Sequence, residues 1–335
     1  PTTMLLTVNG RQVRVARSNP TVATALEAAG VAPKDGTLFS AGTHTPLDRH
    51  FTPARLSVNG IPATRKTRVS AGARIDAAPG RDVVEATAQR QAPTPPPPLP
   101  PVEHSLWYPG TSGREDQVYG TVSGEVLSRR PLVEPVPPRR EEGNIVALTF
   151  DDGPHPVWTP QVLEILRSEG VKATFCVVGS MGKKHVDLVQ AVREAGHVLC
   201  NHTENHAEKL DTASSEKVVD EIDGGFRFLE SAVGAPPPLY RPPGGHVGPK
   251  VIEVAQRKGM RVLNWTVAPR DHEKAPADVI LARTLEAVRP GAVILLHDGG
   301  GDRAQTVAML RPLIQQLKGR GFGFATPLGP PAPPG

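Results

Sequence analysis

The sequence has 335 residues, which is long enough for two domains or for one large domain with appendages. Hydrophobic residues make up an ordinary 38%, but 37 prolines are many, so part of the chain is expected to be linker. The formal net charge of +4 suits an anionic partner such as a cell wall. Lys and Arg form no run dense enough for a nucleic acid surface, so we expect no nucleic acid partner.

The two cysteines, Cys176 and Cys200, exclude a disulfide framework and leave room for a single bridge. Each lies in a short apolar run, which favours buried thiols. No stretch reaches the roughly 18–20 apolar residues that a membrane span needs, so no span is expected in this chain. Because the chain begins at Pro1 rather than at Met, we expect that a secretion signal or anchor has been removed.

Residues 1–90 are predicted to form a small β-rich domain. Strand-like runs flank Asn9-Gly10, a dipeptide typical of tight hairpins, and the same pair recurs at Asn59-Gly60. A helix-like stretch lies between them, from Thr21 to Ala29. This order is that of a ubiquitin-like β-grasp, and the segment resembles the ubiquitin-like modules of bacterial surface proteins. Because it holds no cluster of catalytic residues, it is predicted to be a spacer or a wall-docking module.

Three further segments lack a clear pattern of helices or strands. Residues 91–102 are rich in proline and are predicted to be an extended, semi-rigid linker. Residues 103–143 have strand-like pieces near Val118 and Val126. The sequence leaves open whether this segment is a small β extension or a strap on the domain that follows. A proline-rich tail is predicted at 328–335.

Residues 144–327 alternate short apolar runs with amphipathic stretches of helical length. In the longest stretch, apolar residues recur every three or four positions and share one helix face; they are Val218, Ile222, Phe226 and Leu229. Strands that alternate with helices indicate a parallel sheet, closed or doubly wound. About seven such units fit a slightly incomplete barrel, in which chemistry gathers at the carboxyl ends of the strands.

Two adjacent carboxylates, Asp151 and Asp152, follow the first of these apolar runs. Such a pair is costly to bury unless a cation lies beside it. Neighbouring side chains diverge in an extended backbone, so one acid can bind a metal while the other acts as a base. The simpler alternative is an Asp-Gly-Pro turn with solvated acids.

Two histidines, His202 and His206, follow the third run. Histidines four residues apart point the same way on a helical turn, and we expect such a turn here. Imidazole nitrogens suit zinc and neighbouring transition metals, although many helices carry such a pair by chance. With Asp152 in the same layer, the pair predicts a metal site that keeps one coordination position open for water or substrate.

Four motifs resemble, in order and approximate spacing, those of the polysaccharide deacetylase family, whose members are also called NodB-homology domains or carbohydrate esterase family 4. They are Asp151-Asp152, His202-Thr203-Glu204-Asn205-His206, Arg241-Pro242-Pro243-Gly244-Gly245 and Leu295-Leu296-His297. The resemblance covers roughly Asn144 to Pro327. It implies an α/β fold, a distorted (β/α)7 barrel preceded here by the small β-rich domain, and metal-dependent hydrolysis of an acetamide on a sugar.

The resemblance also implies a role for each motif residue. Asp152, His202 and His206 match the metal ligands, Asp151 matches the general base, and His297 matches the general acid that protonates the departing amine. Arg241 matches an arginine beside the base, Asp271 matches an acid that orients the catalytic histidine, and Leu295 matches an apolar wall for the acetyl methyl group.

The chain departs from the family pattern on the predicted substrate side. Pro243 and Gly244 are expected near the tetrahedral oxyanion, and Gly244 stands where many relatives carry an aromatic residue. The usual D-x-x-D-W motif has Ala268 for its first acid and His272 for its tryptophan. His272 could stack on sugar, form a hydrogen bond with it or face water. Because the ligands, base and acid are retained, activity is expected to survive.

Several assignments stay open. We favour peptidoglycan as the N-acetylated polysaccharide, but chitooligosaccharides or, through ester chemistry, acetylated xylan are alternatives. An alternative outside the enzymes is a non-catalytic cell-wall-binding protein whose barrel has lost activity. The metal is expected to be Zn, although Co or Ni suits the same donors. An extracellular or cell-wall-associated location is expected.

Overall fold

The computed structural model describes residues 3–16 and 19–328. The chain divides into two compact units, of which the first comprises Pro1–Pro95 and Ser112–Glu134, and the second comprises Pro96–Thr111 and Pro135–Gly335. The chain therefore passes from one unit to the other after residues 95, 111 and 134. The tail predicted at 328–335 lies outside the described residues, except for Leu328.

The first unit begins with a β-rich region that contains one helix. Its elements are β1 (Met4–Val8), β2 (Arg11–Val15), α1 (Val22–Ala29), β3 (Gly36–Phe39), β4 (Pro46–Thr52), β5 (Arg55–Val58), β6 (Ile61–Pro62), β7 (Arg74–Ala78) and β8 (Val83–Val84). One sheet has the order β2-β1-β7-β5-β6, and another has the order β4-β3-β8. Leu6, Leu26 and Ile75 belong to the buried core that joins α1 to the first sheet.

The local signals in this region act as the sequence predicted. Asn9-Gly10 joins β1 to β2, and all four residues of the two Asn-Gly pairs have positive φ, as tight hairpin turns require. The Thr21 side chain caps α1, and Gly30 ends it in the left-handed conformation. The region is β-rich, as expected, while its assignment to the β-grasp fold stays a prediction.

The segment predicted as a linker begins inside a strand. β9 (Thr87–Thr94) is followed by β10 (Trp107–Tyr108) in the second unit and then by β11 (Gly113–Gly120) and β12 (Val126–Val133) back in the first. The antiparallel sheet β12-β11-β9 has β9 at its edge, where Pro93 is tolerated although it lacks an N–H. Residues 112–134, which include Val118 and Val126, therefore complete the first unit.

The second unit alternates strands with helices. It contains β13 (Arg139–Arg140), β14 (Ile145–Asp151), α2 (Trp158–Glu169), β15 (Thr174–Val177), α3 (Gly179–Lys184), α4 (Val186–Glu194), β16 (Val198–Asn201), α5 (Ser215–Val233), β17 (Leu239–Tyr240), α6 (Pro249–Arg257), β18 (Arg261–Val262), α7 (Ala277–Ala287), β19 (Val293–His297), α8 (Ala304–Gly319) and β20 (Gly323–Phe324). Short 3-10 turns occupy Pro243–Gly245 and Asp271–Glu273. No described helix has the length and apolarity required to cross a membrane.

Seven of these strands form one parallel sheet. Its order is β18-β17-β16-β15-β14-β19, and β20 pairs with the start of β14. These strands and the helices between them lie within residues 144–327, where the sequence predicted short apolar runs alternating with amphipathic helical stretches. With the β-rich sheets preceding it in the chain, this sheet confirms the predicted class, a distorted barrel of parallel strands and helices.

The sheet edges β18 and β19 are joined by segments that lie outside the strands. Val267, beyond the end of β18, forms a parallel bridge with Ile294 of β19. Glu103 forms another parallel bridge with Leu263. Leu106 follows a few residues later and is only 3% exposed, because it packs with apolar side chains of the barrel interior. Residues that precede the barrel in the chain therefore help to close it.

Cys176 and Cys200 lie opposite each other on β15 and β16. Both are buried free thiols, as the apolar sequence around them predicted. Burial raises the pKa of the Cys176 thiol, and the neighbouring Cys200 raises it further. Protonated at neutral pH, Cys176 packs as an apolar side chain in the interior.

Replacement of Leu106 by Ala tests the role of this segment. It should lower the free energy of unfolding of the second unit by about 2–5 kcal/mol, because the change leaves a cavity in a packed interior. Val136→Ala is the control, since Val136 is 55% exposed and should change stability by less than about 0.5 kcal/mol. Chemical denaturation monitored by fluorescence measures both. Equal stability of the two variants would contradict a packed role for Leu106.

Candidate active site

The end of β14 separates the two acidic side chains. Asp151 is the last residue of the strand, whereas Asp152 has a φ of 71° in the left-handed region, so the chain turns sharply between them. Gly299 and Gly300 lie against this turn. A Cβ atom on Gly300 would stand 2.5 Å from Asp152 Oδ2, and one on Gly299 would stand 2.1 Å from the Asp152 carbonyl oxygen. Glycine is therefore required on this side of Asp152.

Asp152, His202 and His206 form a cluster of ligand atoms that all lie within 4.8 Å of one another. Asp152 Oδ1 is 3.1 Å from His206 Nε2 and 3.5 Å from His202 Nε2. Asp152 follows β14 and the two histidines follow β16, with β15 between them in the sheet, so all three residues come from strand ends, as the barrel topology predicted. The structure therefore brings together the three residues that the sequence predicted as metal ligands, while their role as ligands stays a prediction.

The two histidines do not lie on a helical turn, so that part of the prediction is wrong. They lie in a loop after β16, in which Thr203 and His206 have positive φ. Hydrogen bonds to α5 fix this loop: Glu204 N donates to the Glu221 carbonyl at 2.8 Å, and Asn205 N donates to the Glu221 carboxylate at 2.9 Å. These long-range bonds, rather than helical periodicity, bring the two imidazoles to the same side.

His202 is oriented by a hydrogen bond on the far side of its ring. Its Nδ1 lies 2.7 Å from the Arg241 carbonyl oxygen, which can only accept, so Nδ1 is assigned as the protonated nitrogen. In the neutral tautomer that donates from Nδ1, Nε2 carries the lone pair and lies on the side of Asp152. Metal-ligating histidines are held in this way, by donation from the second ring nitrogen to a carbonyl or carboxylate.

The donor set fits a divalent transition metal ion. Ligands of a tetrahedral zinc ion, with bonds of roughly 2.0–2.1 Å, lie about 3.3 Å apart, close to the two separations from Asp152 Oδ1. Among the described residues, this buried oxygen accepts no hydrogen bond of good geometry. Burial would raise the pKa of Asp152, but the adjacent His202 and His206 outweigh burial and hold this pKa well below its usual range.

Asp151 is paired with Arg241, which is fully buried. Arg241 Nη1 donates to Asp151 Oδ1 at 2.7 Å and to Thr149 Oγ1 at 2.8 Å. Its Nε and Nη2 donate to the carbonyl oxygens of Leu263 and Asn264. Burial would lower the pKa of Arg241, but the charge of Asp151 raises it above its ordinary value, so the guanidinium stays charged. The arginine thus fixes the orientation of Asp151.

His297 lies opposite Asp151, because the two residues are register partners on the adjacent strands β14 and β19. Its Nδ1 is 2.7 Å from Asp271 Oδ1. Asp271 Oδ2 accepts hydrogen bonds from His297 N at 2.9 Å and Thr306 Oγ1 at 2.8 Å. Burial would lower the pKa of His297, but Asp271 outweighs burial and raises it. His297 therefore holds its proton to higher pH than a free histidine does.

The predicted substrate-side residues lie at the same end of the barrel. Pro243 and Gly244 form the turn after β17, and Gly244 has a φ of 65°, which favours glycine there. Leu295 is two residues before His297 on β19, so their side chains share one face of the strand. His272 is exposed, and its ring centroid lies 5.3 Å from that of His297.

Sequence reasoning missed Asp298, which follows His297 directly and is 1% exposed. Thr159 Oγ1 donates to its carboxylate at 2.5 Å, and Asp298 N donates to the Asp151 carbonyl oxygen. Burial raises the pKa of Asp298 to about 7, although the Thr159 hydrogen bond opposes this shift. A Cβ on Gly153 would collide with this carboxylate, so Asp298 packs tightly under the Asp152 turn. In the sequence, only the position of Asp298 directly after His297 could have indicated that it belongs to the site.

Comparison with known proteins places the second unit in a family. The chain matches a model described as polysaccharide deacetylase over residues 139–263. A peptidoglycan-N-acetylglucosamine deacetylase of Bacillus cereus is 39% identical over 184 residues, which make up 54% of this chain and 85% of that protein. A chitooligosaccharide deacetylase of Azorhizobium caulinodans is 36% identical over 191 residues, which make up 53% of this chain and 90% of that protein.

Solved structures agree with these matches. A peptidoglycan N-acetylglucosamine deacetylase has a TM-score of 0.54 at 33% identity, covering 56% of this chain and 87% of its own. A carbohydrate esterase family 4 pseudoenzyme from Bacillus anthracis has a TM-score of 0.52 at 27% identity, covering 56% of this chain and 64% of its own. The chain belongs to the polysaccharide deacetylase family, as its four motifs predicted.

Replacement of Asp152 by Asn tests the metal site directly. The affinity for the first equivalent of Zn²⁺ should fall by about 100-fold or more, because an anionic ligand becomes a neutral amide. Titration against a chromophoric chelator measures this affinity. Asp187→Asn is the matched control, since Asp187 is exposed on α4 and should leave the affinity unchanged. Tight zinc binding by the Asp152 variant would rule out this ligand set.

Proposed function

We propose that this chain is a metal-dependent N-deacetylase that removes acetyl groups from an N-acetylated cell-wall glycan, with peptidoglycan favoured. One observation carries the proposal: Asp151 and His297 are register partners at the ends of two adjacent strands, beside the cluster of Asp152, His202 and His206. A base and an acid thus lie beside a site suited to a divalent ion. This arrangement suits hydrolysis of an amide bond.

A divalent ion held by Asp152, His202 and His206 would supply Lewis acidity, which makes water easier to deprotonate and the acetyl carbonyl more electrophilic. Zinc suits these donors, and Co or Ni suits them as well. The three residues hold this position because His202 is fixed by the Arg241 carbonyl and Asp152 by the two glycines against it.

Asp151 is proposed as the general base. Arg241 occupies Asp151 Oδ1, which leaves Oδ2 as the oxygen able to take a proton from the attacking water. Asp151 Oδ2 lies 3.7 Å from His202 Nε2, so this oxygen faces the ligand cluster. The buried guanidinium holds the carboxylate in one orientation, which a base aimed at a single water requires.

His297 is proposed as the general acid. An amine leaves poorly from a tetrahedral intermediate unless its nitrogen is protonated. Because Asp271 engages Nδ1, the proton on Nε2 is the one that His297 can deliver to the departing nitrogen. Asp271 both positions the ring and favours its protonated state, so it acts through His297 rather than on the substrate.

The substrate is proposed to enter over the turn at Pro243 and Gly244, where a backbone N–H near these residues would help to hold the oxyanion. Leu295 would provide an apolar surface for the acetyl methyl group. His272 would line the groove with a small polar ring where relatives carry an indole. This wall is expected to affect which sugar is accepted more than it affects the chemistry.

Peptidoglycan is favoured as the substrate because of the net charge of this chain and the names of similar proteins. The net charge of +4 suits an anionic wall, and a peptidoglycan-N-acetylglucosamine deacetylase is among the similar proteins. We therefore also propose an extracellular or wall-associated location. The second candidate is a chitooligosaccharide deacetylase, which the Azorhizobium relative favours. The remaining alternatives are esterase activity on acetylated xylan and a non-catalytic wall-binding role.

Acetate release from zinc-loaded protein tests the activity. Peptidoglycan, chitin oligomers and acetylated xylan should be compared, and peptidoglycan is expected to give the highest rate, with a free amine as product. Asp151→Asn should lower the rate by about 100-fold or more, because the base is lost while the cluster remains. Asp187→Asn is expected to match the wild type. Failure of the wild type to release acetate from any of these glycans would favour the wall-binding alternative.

The pH dependence of Asp271→Asn tests the acid. Activity needs protonated His297, so it falls as pH rises through the pKa of that residue. Asp271 raises this pKa, so its loss should move the alkaline limb of the kcat/KM profile to lower pH. The rate at neutral pH should also fall, by roughly 10- to 100-fold. An alkaline limb at an unchanged pH would exclude His297 as the titrating acid.

A further inference from the structure

A second group of metal-ligating side chains lies beside the first. The ligand atoms of Asp271, His272 and His297 are all within 4.8 Å of one another. The rings of His272 and His297 meet edge to face, with centroids 5.3 Å apart. Asp271 is 2% exposed, whereas His272 is exposed, so an ion could reach the group from solvent. The donors are again two imidazoles and one carboxylate.

The carboxylate offers one oxygen to such an ion. Asp271 Oδ2 is held by His297 N and Thr306 Oγ1, while Oδ1 is bonded to His297 Nδ1 at 2.7 Å. Two arginines nearby would repel a cation, but Glu273 offsets their charge. Its carboxylate oxygens lie 3.4 Å from Arg270 Nη1 and 3.8 Å from Arg283 Nη1. An ion that entered between Oδ1 and Nδ1 would replace the proton they share, and that proton would pass to solvent.

The geometry also ranks the two sites. Ligands of a tetrahedral zinc ion lie about 3.3 Å apart, so the Asp271–His297 pair must open by roughly 0.6 Å to take one. The separations of 3.1 and 3.5 Å in the first cluster need little change. The second group should therefore fill after the first and hold its ion more weakly.

We propose that Asp271, His272 and His297 form a second, weaker cation site, which Zn²⁺ occupies when it is in excess and which then blocks the acid function of His297. A histidine ring bound to a cation through one nitrogen keeps only the proton on the other nitrogen, and losing that proton would leave an imidazolate. The ring is therefore a far weaker acid toward a leaving amine than a doubly protonated imidazolium. His272 completes this site, since a tryptophan at the same position has no lone pair to offer a metal.

Equilibrium dialysis of the full chain against Zn²⁺ counts the sites without reference to activity. The wild type should bind two equivalents, the second at least about tenfold more weakly than the first. His272→Gln should bind one, and His272→Trp, which keeps a large ring there, should also bind one. His206→Gln should retain the weaker site. His50→Gln is the control, because His50 is an exposed histidine beside Asp35 and its loss should leave two equivalents.

A single equivalent in the wild type, or two equivalents in both His272 variants, would overturn the proposal. The consequence for activity rests on the proposed function and is measured separately. Acetate release by the wild type should rise with Zn²⁺ and then fall at least tenfold at excess, while each His272 variant should keep its own maximum. Inhibition of the variants equal to that of the wild type would contradict a block at His297. If the wild type releases no acetate, the function fails while dialysis still decides the site.

Discussion

The buried ion pair between Arg241 and Asp151 is the constraint on which the rest of the site depends. A guanidinium with no solvent exposure is costly to bury, and here it donates to the Asp151 carboxylate, the Thr149 hydroxyl and two backbone carbonyls. The Arg241 carbonyl in turn accepts from His202. Arg241 therefore fixes both the proposed base, Asp151, and a predicted ligand, His202, so the two side chains share a single rigid support.

The other acidic side chains at this end of the barrel are also paired, each with a different group. Asp152 faces two imidazoles, Asp271 holds His297, and Asp298 is bonded to Thr159 with a pKa raised to about 7. Several carboxylates crowded at one end of a barrel would repel one another if all were ionised and unpaired. The different partners distinguish the proposed base, the predicted ligand, the proposed positioning group and the packed Asp298. This division of roles is what the proposed hydrolysis requires.

The strands of the barrel and the positions of most site residues could be predicted from the sequence. The seven apolar runs became strands because fully buried parallel strands need continuous hydrophobic residues, and the chemistry-bearing residues follow strand ends for a topological reason. Features that depend on hydrogen bonds between residues distant in the sequence could not be predicted. The His202–His206 loop is shaped by hydrogen bonds to Glu221, and β9 is a strand only because residues 113–120 pair with it. The short α3 (GSMGKK) has no apolar period to reveal it. Asp298 carried no motif signal apart from its neighbour.

Anomalous diffraction from crystals grown with one equivalent of Zn²⁺ tests the central claim most directly. The account predicts one strong peak at roughly 2.0–2.2 Å from a carboxylate oxygen of Asp152 and from one nitrogen of each of His202 and His206, with Asp151 and His297 beside it. A peak bound elsewhere in the chain, with these three side chains left unliganded, would contradict it.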